Sequence, residues 1–283
     1  MTDFLGAHMS ISGGLSKAID RAVAAGCGTL QIFTRSSNQW KPKPVSDKDA
    51  ALFRQTFTDS GLHEVISHDI YLINLAAAPG DTRDKSLAAF ADEMTTCARL
   101  GINKIVMHPG SHTTDTPEAG LERVISAFDQ LFEQAPEYEG RVLLETTAGQ
   151  GTNLGRTFEE LKTIINGSKY PDRFGICFDT CHTFAAGYNT ATPEGYADVM
   201  AQFDQLLGLE RLHCFHFNDS KKGLGSRVDR HEQIGQGALG LEPFRLIMND
   251  SRFVKIPKIL ETPKGDDDAM DRVNLSLLRG LVQ

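Results

Sequence analysis

Short apolar runs alternate along the whole chain with longer stretches in which apolar residues recur at helical spacing. Such runs, bounded by polar or glycine-containing segments, are typical of buried parallel strands, and the longer stretches are typical of amphipathic helices. The predicted strands are Phe4–His8, Thr29–Phe33, Glu64–His68, Lys104–His108, Arg141–Glu145, Phe174–Asp179, Arg211–Phe217 and Ile256–Glu261. The clearest predicted helices are Lys85–Leu100, Pro117–Phe132, Phe158–Ile165, Pro193–Leu207, Pro243–Met248 and Asp266–Leu281.

The order of these elements predicts the fold class. Strands that alternate with helices form parallel sheets of the α/β class. Eight strand–helix units, without a linker or a low-complexity segment, predict one closed (β/α)8 TIM barrel in which residues 1–283 form a single domain. In such a barrel the active site lies at the C-terminal ends of the strands.

Histidines and carboxylates end six consecutive predicted strands, the third through the eighth. These residues are His68, His108, Glu145, Asp179, His216 and Glu261. Because the C-terminal ends of barrel strands converge on one face, we expect all six side chains to meet there. Chance can place one or two such residues at strand ends, but it does not account for six in succession.

Side-chain alternation along the strands supports this arrangement. Residues two positions before a strand-end ligand share its face and should fill the barrel interior. They are Val106, Leu143, Cys177, Cys214 and Ile259, all apolar or small. His213 has the opposite parity to His216, so we expect it to point toward the helices.

These residues divide into two candidate metal groups. Glu145, Asp179, His216 and Glu261 suit Zn²⁺, Mn²⁺ or Mg²⁺, and by themselves they equally fit the single metal centre of a sugar isomerase on the same barrel. His68 and His108 indicate a second centre, with Glu145 between the two. A carboxylate has two oxygens and can bridge two metals about 3.5–4 Å apart, the arrangement used for phosphoryl displacement.

A third candidate group comprises His182, Asp229 and His231. His182 lies three residues after Asp179, and the Asp-x-His pair lies in the long loop after the seventh strand. Two histidines and one carboxylate are the composition of a catalytic zinc site. Nine ligand-type residues suffice for three metals, which exceeds the need of an isomerase and favours phosphodiester hydrolysis.

Composition narrows the possibilities only a little. The net charge of −8 disfavours a nucleic-acid partner, but three divalent cations would cancel most of it where a phosphate docks. The five cysteines show no Cys-x-x-Cys spacing, so we expect reduced thiols rather than a structural zinc knuckle. No apolar run is long enough to cross a bilayer, and no secretory signal is visible, so we expect a cytoplasmic protein without a membrane partner.

Weaker signals lie in the predicted loops. Gly235–Gly240 matches a dinucleotide-binding glycine pattern but does not follow a strand, so turn formation is the favoured interpretation. His8 should face the site in a supporting role. Basic residues on the catalytic face could line a phosphate backbone, with Trp40 and Tyr71 on the same face. These basic residues are Arg35, Lys41, Lys43, Lys221, Lys222, Arg227 and Arg230.

The chain resembles a known family, the endonuclease IV type of apurinic/apyrimidinic endonuclease, nearly from end to end. The matching segments are Gly6–His8, His68–Asp69, Tyr71–Leu75, His108–His112, Glu145, Thr147–Gly151, Asp179–His182, Ala185–Tyr188, His216, Asn218–Asp219, Gly225–His231 and Ile259–Thr262. The number and order of these segments make the resemblance specific.

The resemblance implies an enzyme with three Zn²⁺ per chain. His68, His108 and Glu145 would hold one zinc. Glu145, Asp179, His216 and Glu261 would hold the second, and His182, Asp229 and His231 the third. Glu145 would lie beside the attacking hydroxide, and Glu261 would position it.

The resemblance also implies the substrate, double-stranded DNA with abasic sites or blocked 3′ ends. The phosphodiester 5′ to the abasic deoxyribose would be cleaved to a 3′-hydroxyl and a 5′-deoxyribose phosphate by a monomer. Arg227 and Arg230 are predicted DNA contacts, as are Tyr71 and Leu72, which follow His68 in one short loop. Asn38 stands where some relatives carry an arginine that enters the duplex. A non-catalytic DNA-binding barrel is a more distant alternative, because the ligand set is complete.

Overall fold

Eight parallel strands close into a barrel in the computed structural model, which describes residues 3–41 and 43–283. The barrel strands are β1 (Leu5–His8), β2 (Thr29–Phe33), β3 (Val65–His68), β4 (Lys104–Met107), β5 (Arg141–Glu145), β6 (Phe174–Asp179), β7 (Leu212–Phe217) and β10 (Lys258–Leu260). Each pairs with its neighbours in this order, and β10 closes the barrel against β1. The predicted TIM barrel is confirmed.

Helices follow the strands and pack around the barrel. They are α1 (Leu15–Ala25), α2 (Asp47–Ser60), α3 (Asp81–Leu100), α4 (Pro117–Gln134), α5 (Phe158–Gly167), α6 (Thr180–Ala186), α7 (Pro193–Leu207), α8 (Glu242–Asn249) and α9 (Ala269–Gly280). Capping residues in the sequence fix the residue at which several of these helices begin. The side chains of Ser46, Thr116, Thr157 and Thr192 each accept a hydrogen bond from a main-chain N–H in the first turn of the helix that follows. None of the described helices is both long enough and apolar enough to span a bilayer.

Two elements at the mouth of the barrel were not predicted. Helix α6 begins directly after β6, where Asp179 accepts a hydrogen bond from the N–H of His182 at 2.7 Å. The long loop after β7 contains a two-stranded antiparallel ladder, β8 (Asp219–Ser220) with β9 (His231–Glu232). The ladder returns the chain to the mouth, so that His231 lies above the barrel.

The core has two parts. A large apolar layer fills the space between the strands and the helices. A second, separate cluster fills the barrel itself and consists of Ile66, Val106, Leu143, Cys177, Cys214 and Ile259, all fully buried. The predicted interior layer is thus confirmed, with Ile66 added from β3. His213 is not part of that cluster, and burial, followed by the charge of Lys104, lowers the pKa of its ring to about 4.

Gly6 in β1 provides a direct test of barrel closure. A Cβ built on Gly6 would lie 2.0 Å from the carbonyl oxygen of Thr29, its register partner in β2. The main chain of β2 cannot move aside as the end of a flexible side chain can. Gly6→Ala should therefore lower the free energy of unfolding by about 1–3 kcal/mol, or by more. Gly280→Ala is the matched control, because nothing lies within 4 Å of its Cβ. Urea denaturation measures both, and equal stability of the two variants would contradict this account of β1 packing.

Candidate metal centre

Three groups of ligand-type side chains meet at the C-terminal mouth of the barrel. Within each group, the potential ligand atoms lie within 4.8 Å of one another. The groups are His68, His108 and Glu145; Glu145, Asp179, His216 and Glu261; and His182, Asp229 and His231. All nine side chains predicted from the sequence are therefore brought together, in the three groups predicted. We call them the first, second and third ligand groups.

Glu145 is the centre of this arrangement, and its side chain is 0% exposed. Its Oε2 lies 3.1 Å from Nε2 of both His68 and His108. Its Oε1 lies 3.0 Å from Nδ1 of His216 and 3.1 Å from Nδ1 of His182. Oε2 thus faces the two imidazoles of the first ligand group, whereas Oε1 faces His216 of the second group and His182 of the third.

The second ligand group is held in place by Asn218, which sequence reasoning missed as a site residue. Its Nδ2 donates to Asp179 Oδ2 at 2.7 Å, and its Oδ1 accepts from the main-chain N–H of Glu261 at 3.1 Å. Asn218 lies one residue beyond the end of β7 and two positions after His216, a spacing that places two side chains on the same side of an extended chain. The two-residue spacing from His216 was the feature of the sequence that could have identified Asn218 as a site residue.

The third ligand group forms where α6 meets the loop after β8. Oδ1 of Asp229 lies 3.2 Å from Nε2 of His182 and 3.3 Å from Nε2 of His231. The two Nε2 atoms are themselves 3.3 Å apart. Gln150 fixes the loop, because its Oε1 accepts from the main-chain N–H of Asp229 at 3.0 Å. Two imidazoles that converge on one carboxylate oxygen form a compact three-donor site.

Most histidines of the site are oriented by main-chain carbonyls. Nδ1 of His68 lies 2.7 Å from the carbonyl oxygen of Asp69, and Nδ1 of His182 lies 3.0 Å from that of Thr146. Nδ1 of His231 lies 3.3 Å from the carbonyl oxygen of Glu261. Each ring can donate through Nδ1–H and so turns Nε2 into the cluster, the usual arrangement of metal-ligating histidines.

The buried carboxylates of the site favour the binding of cations. Burial disfavours the charged forms of His68, His182 and His216, but the carboxylates beside them raise all three pKa values, that of His216 to about 10. Although Glu145 is buried, the rings of His216 and His108 hold its pKa well below the usual range. In the absence of metal, protons on the imidazoles supply the positive charge that these buried carboxylates need. A donor set of imidazoles and carboxylates fits Zn²⁺.

Two other groupings of potential ligands among the described residues contain cysteine. Cys177 and Cys214 lie near His216, and Cys181 lies near Asp179 and His231. Burial raises the pKa of Cys181 to about 12 and that of Cys177 well above its usual value. Because a thiol must lose its proton to bind metal, these sulfurs are poor ligands, and Cys177 and Cys214 belong to the interior layer.

One prediction from the sequence is wrong: Arg35 does not line a DNA surface. The residue is only 5% exposed, and its Nη2 lies 3.1 Å from Oε2 of Glu93 on α3. Thr34 and Ser67 also donate to that carboxylate. An arginine this deeply buried requires a paired carboxylate, and Glu93 provides it.

The other predicted contact residues differ in burial. Tyr71 is 69% exposed, and its ring packs on Phe33 at 5.3 Å. Leu72 and Trp40 are partly buried against the core, and Asn38 is exposed. Arg227 and Arg230 are exposed, and Arg227 adopts a positive φ of 53°. The ring of Tyr71 also lies beside a predicted ligand, with its centroid 6.1 Å from that of His68.

A pocket of about 210 Å³ adjoins the first ligand group. His68 and His108 lie on one side, and Tyr71, Asn74 and Ser111 complete much of the wall.

The glycine-rich loop Gly235–Gly240 does not form a phosphate-binding loop. The N–H groups of Gly237 and Leu239 donate to the carboxylate of Asp219, each at 2.9 Å. The turn-forming interpretation of that segment fits these contacts.

Comparison with known proteins places the chain in a family. The model of the xylose isomerase-like TIM barrel family matches residues 19–279. A probable endonuclease 4 of Trichlorobacter lovleyi is 88% identical over 281 residues, which cover 99% of this chain and 100% of that protein. A probable endonuclease 4 of Geobacter sulfurreducens is 63% identical over 283 residues, 100% of this chain and 96% of that protein.

A solved structure agrees with these relatives. The crystal structure of endonuclease IV from Thermus thermophilus matches with a TM-score of 0.87 and 36% identity, over 98% of each chain. Fold and site together define an enzyme of the xylose isomerase-like TIM barrel class, with its active site at the C-terminal ends of the strands. Within that class, this chain belongs to the endonuclease IV family.

The raised imidazole pKa values predict that metal binding is coupled to proton release. Below its pKa each ring carries a proton, and metal must displace it. Loading metal-free protein with Zn²⁺ at pH 7 should therefore release roughly one proton for each of His68, His182 and His216, and affinity should fall as the pH is lowered. Calorimetric titration in buffers of different ionisation enthalpy measures the release. Affinity independent of pH between 6 and 8 would contradict this account of the site.

Proposed function

We propose that this chain is a zinc-dependent DNA-repair endonuclease that acts on abasic sites. It hydrolyses the phosphodiester 5′ to an abasic deoxyribose, leaves a 3′-hydroxyl and a 5′-deoxyribose phosphate, and trims blocked 3′ ends. The observation that carries this proposal is the convergence of three ligand groups on one barrel mouth, with Glu145 shared between two of them. A sugar isomerase would use the second group alone and has no need of the third.

The metal assignment follows from the donors present. His68, His108 and Glu145 would hold one Zn²⁺. Glu145, Asp179, His216 and Glu261 would hold a second, and His182, Asp229 and His231 a third. When bound, zinc supplies Lewis-acid stabilisation of charge on a phosphate and acidifies water at neutral pH. All nine side chains come from one chain, which supports a monomeric enzyme.

Glu145 and Glu261 have different tasks at this site. Glu145 is fully buried, and four imidazoles hold its two oxygens, so it cannot move toward a substrate. The side chain of Glu261 is 16% exposed, whereas those of Glu145 and Asp179 are inaccessible. Among the carboxylates of the second ligand group, Glu261 is therefore the one that reaches the open mouth. Its proposed role is to accept a hydrogen bond from an attacking water and to orient that water toward phosphorus.

DNA would approach across the rim of the mouth. Arg227 and Arg230 are exposed there and can contact phosphates. The ring of Tyr71 stands out of the rim beside His68, and their centroids are 6.1 Å apart. An abasic site lacks a base, so an aromatic wedge can fill the stack at a lower unstacking cost than in intact DNA. The pocket behind Tyr71 leaves space for a displaced deoxyribose next to the first ligand group.

The role of Glu261 can be tested by Glu261→Gln. The amide keeps the size and one acceptor oxygen but lacks the charge, so kcat for incision of an abasic duplex should fall by at least about 10²–10³. Binding of the duplex and the melting temperature should change little. Glu242→Gln on the outer helix α8 is the control and should retain wild-type kcat. A folded, zinc-loaded Glu261→Gln enzyme with near-normal turnover would exclude this role.

The wedge proposal can be tested by comparing Tyr71→Ala with Asn38→Ala. In Tyr71→Ala, the loss of stacking should weaken recognition of the abasic duplex by about 1–3 kcal/mol, which is measured as a rise in KM. Asn38→Ala should raise KM much less, because the asparagine side chain is too short to fill the gap. Steady-state kinetics and melting curves separate recognition from folding. If Tyr71→Ala lowers only thermal stability, or if Asn38→Ala raises KM more, the wedge assignment fails.

A further inference from the structure

A buried glutamine on β2 contacts the second ligand group, although β2 contributes no ligand of its own. Gln31 is 0% exposed. Its Nε2 donates to Oε1 of Glu261 at 2.7 Å and lies 3.0 Å from Nδ1 of His8. Its Oε1 lies 2.8 Å from Nε2 of His216. Both polar atoms of the amide are thus engaged by residues at the mouth.

The orientation of this amide is fixed by its neighbours. A carboxylate can only accept hydrogen bonds, so the amide atom that faces Glu261 must be the donating nitrogen. Rotating the amide by half a turn would bring its oxygen against Oε1 of Glu261, with two acceptors facing each other. The amide oxygen therefore faces His216. Since that oxygen can only accept, the Nε2 atom of His216 must carry the hydrogen.

This assignment sets His216 apart from three other histidines of the site. His68, His182 and His231 have Nδ1 beside a main-chain carbonyl and Nε2 toward their own ligand group. Nδ1 of His182 also lies 3.1 Å from Oε1 of Glu145. His216 is reversed. Its Nδ1 faces the cluster, 3.0 Å from Oε1 of Glu145 and 3.2 Å from Oε2 of Glu261, and its outer nitrogen is held by the side chain of Gln31. The orientation of His216 thus depends on a replaceable side chain.

We infer that Gln31 is a positioning residue of the metal centre, an inference that rests on the proposed zinc occupancy of the second ligand group. It holds the hydrogen of His216 on Nε2 and so leaves the lone pair of Nδ1 directed at the cation. Through Nε2 it also holds Glu261, so one amide sets two ligands of the same group. His8 accepts from the same amide nitrogen and keeps it in place from β1.

The first experiment uses the wild-type enzyme and needs no variant. Two-dimensional ¹H–¹⁵N correlation of histidine side chains in the zinc-loaded protein reports which ring nitrogen carries hydrogen. We expect the His216 ring to carry hydrogen on Nε2 and metal on Nδ1, and the rings of His68, His182 and His231 to show the reverse. Hydrogen on Nδ1 of His216 would overturn the inference.

The second experiment compares Gln31→Met with Gln31→Glu in the full-length protein. Methionine removes the hydrogen bonds to Glu261, His8 and His216, so about one zinc per chain should dissociate at a chelator concentration 10- to 100-fold below that needed for the wild type. The His216 ring should then show a mixture of tautomers. Glutamate still offers an acceptor to Nε2 of His216 but sets a second carboxylate oxygen against Oε1 of Glu261, so it should keep the single tautomer while its zinc retention stays below that of the wild type. Tyr138→Phe, which removes one buried hydrogen bond far from the ligands, should keep wild-type zinc retention.

The outcomes separate this inference from the proposed function. Unchanged zinc retention and an unchanged His216 tautomer in Gln31→Met would show that Gln31 is only a packed core residue. Incision of abasic DNA is a separate measurement. Zinc-loaded wild-type protein that shows the expected His216 tautomer but cleaves no abasic duplex would support the role of Gln31 and refute the proposed activity.

Discussion

The burial of Glu145 is the constraint on which the rest of this structure depends. An ionised carboxylate with no exposure to solvent is strongly unfavourable unless positive charge surrounds it. Here four imidazoles, delivered by three strands and the helix after β6, lie within 3.1 Å of its two oxygens. Those rings are in turn held by other carboxylates and by main-chain carbonyls. The site is therefore one connected network, and cations can replace the protons that the rings would otherwise hold.

The barrel makes this network possible because it excludes water from below and delivers side chains from above. The interior cluster under the ligands is entirely apolar or thiol-bearing, so nothing there competes for the ligand atoms. Parallel strands end at one face, which places ligands from β3 to β10 in a ring. The third ligand group needs more than the barrel. Helix α6 carries His182, the β8–β9 ladder carries His231, and the Gln150 side chain fixes Asp229 between them.

Much of the fold and of the site could be predicted from the sequence, because parity and strand ends follow simple rules. A ligand-type residue that ends a strand two positions after a small apolar residue must point into the mouth. The wrong prediction and the missed residues concern side chains that could have either of two partners, as Arg35 could contact DNA or a buried carboxylate. Arg35 is a surface residue by type, but Glu93 on a distant helix pairs with it inside the protein. Pairing across 58 positions leaves no periodic signal.

Gln31 and the β8–β9 ladder illustrate the same limit. A glutamine at the centre of a strand, with an apolar residue on each side, is unusual, and that feature could have drawn attention to Gln31. Its partners, however, come from β1, from β7 and from the end of β10, and only the closed barrel brings them together. The ladder is two residues long on each side, too short for alternation to be visible in the sequence.

The three proposed cation sites share this mouth, with Glu145 between two of them. Element-specific X-ray diffraction at the zinc edge, on crystals of protein purified without added metal or chelator, tests this arrangement most directly. We expect three anomalous peaks per chain, one within each ligand group, and metal analysis of the same preparation close to three zinc per chain. A single peak within the second ligand group, with Mg²⁺ or Mn²⁺ in place of zinc, would contradict the account and favour a one-metal isomerase site.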